Sequence, residues 1–221
     1  MLASRKYVYQ NPETKNEIED FPVLKTKNIK IKRPEPIDEE IELSPKKYIM
    51  SKTDPKGIIE YGNEYFVEIS GYKESELVGK PHNIIRHPDM PKVIFKLLWD
   101  RLESRKNIYA IVKNLSKSGR YYWVITDFDI KVNRASNEVL GYFAYRKSAP
   151  KHAVKEIEKL YKKLIEIEKE SGMEGSQKYL VGFLEARGQT YDEYIDEITR
   201  NTGIIKLWFK TMKKFFSKKD Y

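Results

Sequence analysis

Two histidines, an arginine and an aspartate fall within eight positions in the run Pro81-His82-Asn83-Ile84-Ile85-Arg86-His87-Pro88-Asp89-Met90-Pro91. An arginine beside an imidazole offers several N–H donors, and these strengthen when negative charge appears on a bound group. Asp89 can fix the orientation of Arg86 or His87. The same run also admits a purely structural role, in which Asp89 caps a helix starting at Pro91. His82 and His87, five apart, do not share a helix face well, and zinc would still lack ligands. No GxSxG, P-loop, HExxH or dinucleotide fingerprint occurs in the chain. Without a nucleophile or an acid–base pair, the expectation is a binding protein rather than an enzyme.

The chain of 221 residues contains no cysteine. That excludes disulfides, Fe–S ligation, c-type haem attachment and thiol nucleophiles, and with them any light response through a cysteine–flavin adduct. At 34% charged and 40% hydrophobic, the composition allows a packed core over part of the length. No run approaches the ~18 apolar residues needed to span a bilayer. The start, MLASRKYVYQNPETKNEIED, has no apolar h-region, so a cytoplasmic protein is expected. The net charge of +9 suggests nucleic acid until its distribution is considered. Residues 1–46 carry nine basic and nine acidic side chains, whereas 204–221 carry six lysines and one acid. Over half the excess lies in the tail, so no basic face, and no nucleic-acid partner, is expected for the rest.

The elements that must position the donors follow from local pattern. Residues 1–46 hold no persistent period and read as a charged, irregular N-terminal arm, with only a short alternation at Asn28–Ile31. From 47 to 147 the pattern changes. Lys47–Ser51 and Ile58–Tyr61 read as strands around a turn with Pro55 and Gly57. Short helical turns follow over 62–69 and 73–77, the first burying Phe66 and Ile69. A stronger helix spans Pro91 to Glu103, with Val93, Phe95, Leu97, Leu98 and Leu102 as its apolar stripe. Ile108–Leu115, Tyr121–Val132 and Val139–Tyr145 then form a three-strand meander. Trp99 and Trp123 are expected in the core. The fold class is α+β: a five-stranded antiparallel sheet with short helices, curved to leave a concave face for a ligand.

A helical extension covers 148–202. Its first helix runs from Lys151 to about Glu170 and breaks at Ser171-Gly172. A second holds Tyr179, Leu180, Phe183 and Leu184, and a third opens at Thr190 with Glu193 as a capping box. Residues 203–221 form a basic amphipathic helix with Ile204, Leu207, Trp208, Phe209, Met212, Phe215 and Phe216 on one side. Such a helix suits a membrane surface or a partner's groove, or it packs back on the protein itself.

Residues 48–147 resemble the PAS domain of Aer-type aerotaxis receptors and of stand-alone energy-taxis PAS proteins. The resemblance rests on Asn63-x-x-Phe66-x-x-x-Ser70-Gly71-Tyr72, Glu76-Leu77-x-Gly79, PHNIIRHPDMP at 81–91, Phe95, Leu98-Trp99, Ile111-Val112-Lys113-Asn114 and Tyr122-Trp123-Val124. It implies a PAS fold, a non-covalently held FAD and a signal set by its oxidation state. The family's flavin-contacting positions fall on Asn63, Arg86, His87, Asp89 and Asn114. Where the family has a tryptophan, three residues before the Ile-Val-Lys-Asn strand, this chain has Ile108. Haem b with His87 or His82 as axial ligand is the alternative cofactor, and a cofactor-free adaptor the alternative role. With no output domain after the sheet, the resemblance implies a separate, membrane-bound chemoreceptor-like partner, with a homodimer also compatible.

Overall fold

A computed structural model of the chain describes residues 33–200 and 202–217. Strands β1 (Ile49–Thr53) and β2 (Ile59–Gly62) are followed by helices α1 (Glu64–Ser70) and α2 (Glu74–Leu77). A 3-10 turn at His82–Ile85 leads into α3 (Lys92–Glu103). Strands β3 (Tyr109–Leu115), β4 (Tyr121–Val132) and β5 (Val139–Ser148) then complete one sheet. Helices α4 (Lys151–Glu185), α5 (Tyr191–Thr199) and α6 (Thr202–Ser217) close the chain. The sheet order is β2-β1-β5-β4-β3, antiparallel throughout, so the first two strands enter beside the last.

Local chemistry sets these boundaries. In the β1–β2 turn the Asp54 carboxylate accepts from the backbone N–H groups of Lys56 and Ile58, both at 2.8 Å. Gly57 takes φ 77, a conformation that favours glycine. Asn63 is the N-cap of α1: its Oδ1 accepts from Phe66 N at 3.1 Å and from Met50 N at 3.0 Å, and its Nδ2 donates to Tyr48 O at 2.9 Å. One side chain thus ties the helix start to β1. The expected capping box is present at α5, where Thr190 and Glu193 exchange hydrogen bonds.

The expected break at Ser171-Gly172 is present: Gly172 adopts φ 71 and ψ −177 and kinks α4 into two helical stretches. Two expectations change. The cap of α3 is not Asp89. Instead Glu168, reaching from α4, accepts from Lys92 N and Val93 N, each at 2.9 Å. A carboxylate at a helix N-terminus satisfies otherwise unpaired donors and opposes the helix dipole. Lastly, the described part of the N-terminal arm is not simply solvated. Ile37 N donates to Gly119 O, Ile41 N to Tyr121 O, and Tyr121 N to Glu39 O. The β5 register on β4 begins at Val124, which leaves the backbone of Tyr121 available on that side. The alternation at 28–31 lies outside the described residues.

The sheet is buried on both faces where β3 and the first half of β4 lie, which explains the nearly unbroken burial of β3 and of residues 122–127. Helices α1 to α3 cover the concave face. The outer face is covered by the extension: Tyr161 of α4 stacks on Trp123 at 6.5 Å, and its hydroxyl donates to Ile111 O at 2.8 Å. Helix α6 adds Phe209 against Tyr109, Trp208 against Tyr48 and Phe216 against Tyr145. Of the alternatives for the apolar stripe, packing on the protein itself holds for Trp208, Phe209 and Phe216, whereas Leu207 and Phe215 stay exposed. Phe209 is fully buried, worth about 1.5–3 kcal/mol for such a side chain. Lys213 holds this arrangement, pairing at 2.8 Å with Asp127, whose side chain is 1% exposed.

Candidate functional site

The concave face encloses a cavity of about 140 Å³, against the ~10–15 Å³ that one water requires. Its floor is the inward-facing residues of the sheet, among them Ser51, Asn114, Thr126, Ala144 and Arg146. Its roof is the 3-10 turn and α3, which contribute His82, Arg86, Phe95 and Trp99. Phe95, Trp99, Phe128 and Tyr142 give the walls an aromatic character. Strand periodicity decides the membership, since Tyr122, Val124, Thr126 and Phe128 share one face of β4 while Trp123 and Asp127 point the other way.

The cavity lining contains two guanidiniums and no carboxylate. Arg146, 5% exposed, donates from Nη1 to Ser51 Oγ at 2.9 Å and from Nη2 to His82 Nε2 at 3.0 Å. A guanidinium only donates, so Nε2 of His82 is the bare nitrogen of a neutral ring. Burial, and then the charge of Arg146, push the His82 imidazole down to about 3. Burial likewise lowers Arg146 to about 10. Arg86 lies over the Phe95 ring at 4.1 Å and donates to Met90 O at 3.2 Å. Burial, followed by the charge of Arg33, lowers Arg86 to about 10, and Glu168 opposes the shift. Among the described residues, neither guanidinium forms an ion pair with a carboxylate. Asn114 Nδ2 and Thr126 Oγ1 are buried and lack a hydrogen-bond partner. Buried charge and orphaned polar atoms are costly unless a bound group meets them.

The five residues singled out by the sequence divide accordingly. Arg86 and Asn114 come together, joined by a backbone bridge between the 3-10 turn's end and β3, and both line the cavity. Asn63 does not line it, its amide being engaged in capping α1. His87 is buried outside the cavity, edge-on to Tyr121 at 5.9 Å, with Nδ1 accepting from Asp89 N at 3.0 Å. Burial, then Lys113, lowers it to about 4. Asp89 faces the outer side, where it pairs with Lys113 at 2.9 Å. His87 and Asp89 thus shape the turn that presents Arg86.

Sequence reasoning missed Arg146, because an isolated arginine at the end of a strand carries no motif. The signal was its phase, on the same face as Tyr142 and Ala144. His82 is a cavity residue, but its Nε2 faces Ser51 and Arg146, so the axial-haem alternative finds no support in the geometry. Trp99, expected in the core, forms part of the wall and meets Tyr142 edge-on at 5.7 Å. Trp123 is core as expected, on the outer face. Ile108, where the family has tryptophan, is fully buried and does not line the cavity.

Three orphaned polar atoms (Asn83 Oδ1, Asn114 Nδ2 and Thr126 Oγ1), two guanidiniums without an ion pair and aromatic walls fit a planar heteroaromatic ring with acceptor and donor edges, as a flavin has. Among the described residues no group of three or more His, Cys, Asp or Glu side chains could hold a metal ion, and no helix is long and apolar enough to cross a membrane.

Comparison with known proteins agrees with this architecture. The PAS fold family model matches residues 59–143. The aerotaxis receptor of Escherichia coli is 40% identical over 116 residues, which cover 52% of this chain and 22% of the receptor. Biofilm dispersion protein BdlA of Pseudomonas aeruginosa is 29% identical over 72 residues, 32% of this chain and 17% of that protein. The chain thus spans about a fifth of the length of these curated relatives. Among solved structures, the PAS domain of a Colwellia psychrerythraea protein is similar with a TM-score of 0.43 and 18% identity, covering 47% of this chain and 87% of that one. A light-oxygen-voltage domain studied with a flavin analogue has a TM-score of 0.44 and 19% identity, covering 51% and 83%. Residues 59–143 have the PAS fold, and this PAS domain is similar in sequence to that of the aerotaxis receptor.

Proposed function

We propose that this chain is a sensor that holds FAD in the cavity of its PAS domain and reports the redox state of the cell to a separate signalling protein. The observation that carries the reading is the pairing of two ion-pair-free guanidiniums with the orphaned Asn114 and Thr126 atoms in one aromatic-walled cavity. The similarity to the aerotaxis receptor supports the same reading. When bound, FAD would supply oxidation states that differ in charge. Arg86 and Asn114 would hold the ring, with Arg86 offering donors whose hydrogen bonds strengthen toward negative charge. His87, Asp89 and Asn63 hold the segments that carry these contacts.

Output runs through the extension. Glu168 caps α3 and its charge acts on Arg86, so a change in the pull on Arg86 alters the balance at the α3–α4 contact. A chemoreceptor-like protein at the inner face of the membrane is the partner, with this chain in the cytoplasm and no chemistry of its own. Flavin content per chain tests the site. Arg86→Ala and Asn114→Ala should each reduce retained FAD while the fold persists by circular dichroism. Unchanged occupancy in both variants rejects the assignment, and a chain that takes up no FAD favours a cofactor-free adaptor.

A further inference from the structure

Arg146 is the buried charge that neither the family motif nor the local sequence pattern assigns. It lies on β5 at the middle of the sheet, opposite Ile49 of β1 and Thr126 of β4 in register. Arg86 and Asn114 lie at the other side of the cavity, beside edge strand β3. The site therefore has two cationic poles.

Three neighbours hold the guanidinium of Arg146 in place. Ser51 Oγ accepts at 2.9 Å, Ala144 O at 3.4 Å and His82 Nε2 at 3.0 Å. The His82 ring is itself fixed by stacking on Phe66, with centroids 5.7 Å apart and planes 9° from parallel. All three partners are neutral. They orient the guanidinium without cancelling its charge, and they take three of its five N–H donors. Nature's usual solution for a buried arginine is a carboxylate. Here the fold instead aims the fork at the cavity, backed by a neutral imidazole, which suits a fixed donor for an anionic or acceptor-rich group.

We propose that Arg146, oriented by Ser51 and His82, is a specificity-determining residue that makes this cavity select aromatic ligands bearing negative charge. The inference rests on the reading of the cavity as a ligand site but not on the ligand being FAD. His82 is a positioning residue in this scheme, and the chemistry it contributes is the bare Nε2 that receives the Arg146 proton donor.

The test uses two fluorescent probes with one ring system: 1-anilinonaphthalene-8-sulfonate and its uncharged counterpart N-phenyl-1-naphthylamine. Both are titrated into the purified, flavin-stripped full chain. The wild type should prefer the sulfonate. Arg146→Gln should lose at least about tenfold in sulfonate affinity, the scale of a charge-assisted hydrogen bond, and keep its affinity for the neutral probe. Arg146→Lys keeps the charge without the fork and should lose less, yet measurably, so it serves if Arg146→Gln does not fold. Equal loss for both probes means collapse of the pocket and overturns the proposal, as does no loss for either. Parallel FAD titrations separate the two claims. Wild type that binds FAD while Arg146→Gln keeps the sulfonate preference refutes this inference alone. Wild type that ignores FAD yet loses sulfonate selectivity on substitution refutes only the flavin reading.

Discussion

Mild acid should weaken this fold, and His82 is a principal cause. The buried ring is held neutral, with its pKa pushed to about 3, whereas an unfolded histidine titrates near 6.5. Between those values the unfolded chain binds a proton that the folded chain refuses. Stability therefore falls as pH falls through the window, at up to about 1.4 kcal/mol per unit. At about pH 5 the solution is ~1.5 units below the unfolded pKa, so His82 alone costs about 2 kcal/mol relative to neutral pH. Protonation would also set an N–H against the guanidinium of Arg146, with which Nε2 now bonds at 3.0 Å. His87, lowered to about 4, acts in the same direction over the same window. Urea unfolding measured from about pH 7.5 to 5 reads the effect, and an m-value near 2–3 kcal/mol/M turns 2 kcal/mol into a midpoint shift of ~0.7–1 M. His82→Gln keeps an acceptor for Arg146 but cannot titrate. It should flatten the pH slope by about the His82 share while leaving that of His87. A slope identical to wild type, or stability that rises on acidification, refutes the reasoning.

Other perturbations have equally definite outcomes. Lys213→Ala strands the buried Asp127 carboxylate, whose pKa burial already raises, and should cost about 3–5 kcal/mol in chemical denaturation. Adding Asp127→Asn should recover much of that loss, and a fully additive double variant would show that the pair does not hold α6 to the sheet. Glu168→Ala removes the α3 cap and should cost about 1–2 kcal/mol, with faster amide exchange at Lys92 and Val93. Gly62→Ala places a methyl against the Phe66 ring and should destabilise by about 1–3 kcal/mol, read as a lower Tm.

Much of the fold was legible because local chemistry and tertiary demand agree. Strand β4 spans the expected Tyr121–Val132, and its inner and outer sides both carry apolar residues that neighbours then cover. Thr190 and Glu193 announce α5 through a reciprocal capping pattern that needs no tertiary help. The cap of α3 was not legible, since Glu168 is 75 residues from the Val93 amide it meets. The destination of α6 was equally hidden. Its amphipathic pattern specifies an apolar partner, but only the outward phase of Tyr109 and Tyr145 makes the protein's own sheet that partner. Within the candidate site, Arg86 and Asn114 are brought side by side by a backbone bridge, while Arg146 emerged only from strand register. Asp89 points away because the tight turn at 87–90, in which the His87 ring accepts from Asp89 N, rotates its carboxylate toward Lys113.

The absorption spectrum of the full chain, as purified and after incubation with FAD followed by gel filtration, tests the central claim most directly. The account predicts flavin bands that travel with the protein at close to one FAD per chain and bleach on reduction. A protein that stays colourless in both preparations, or that shows a haem Soret band instead, contradicts it.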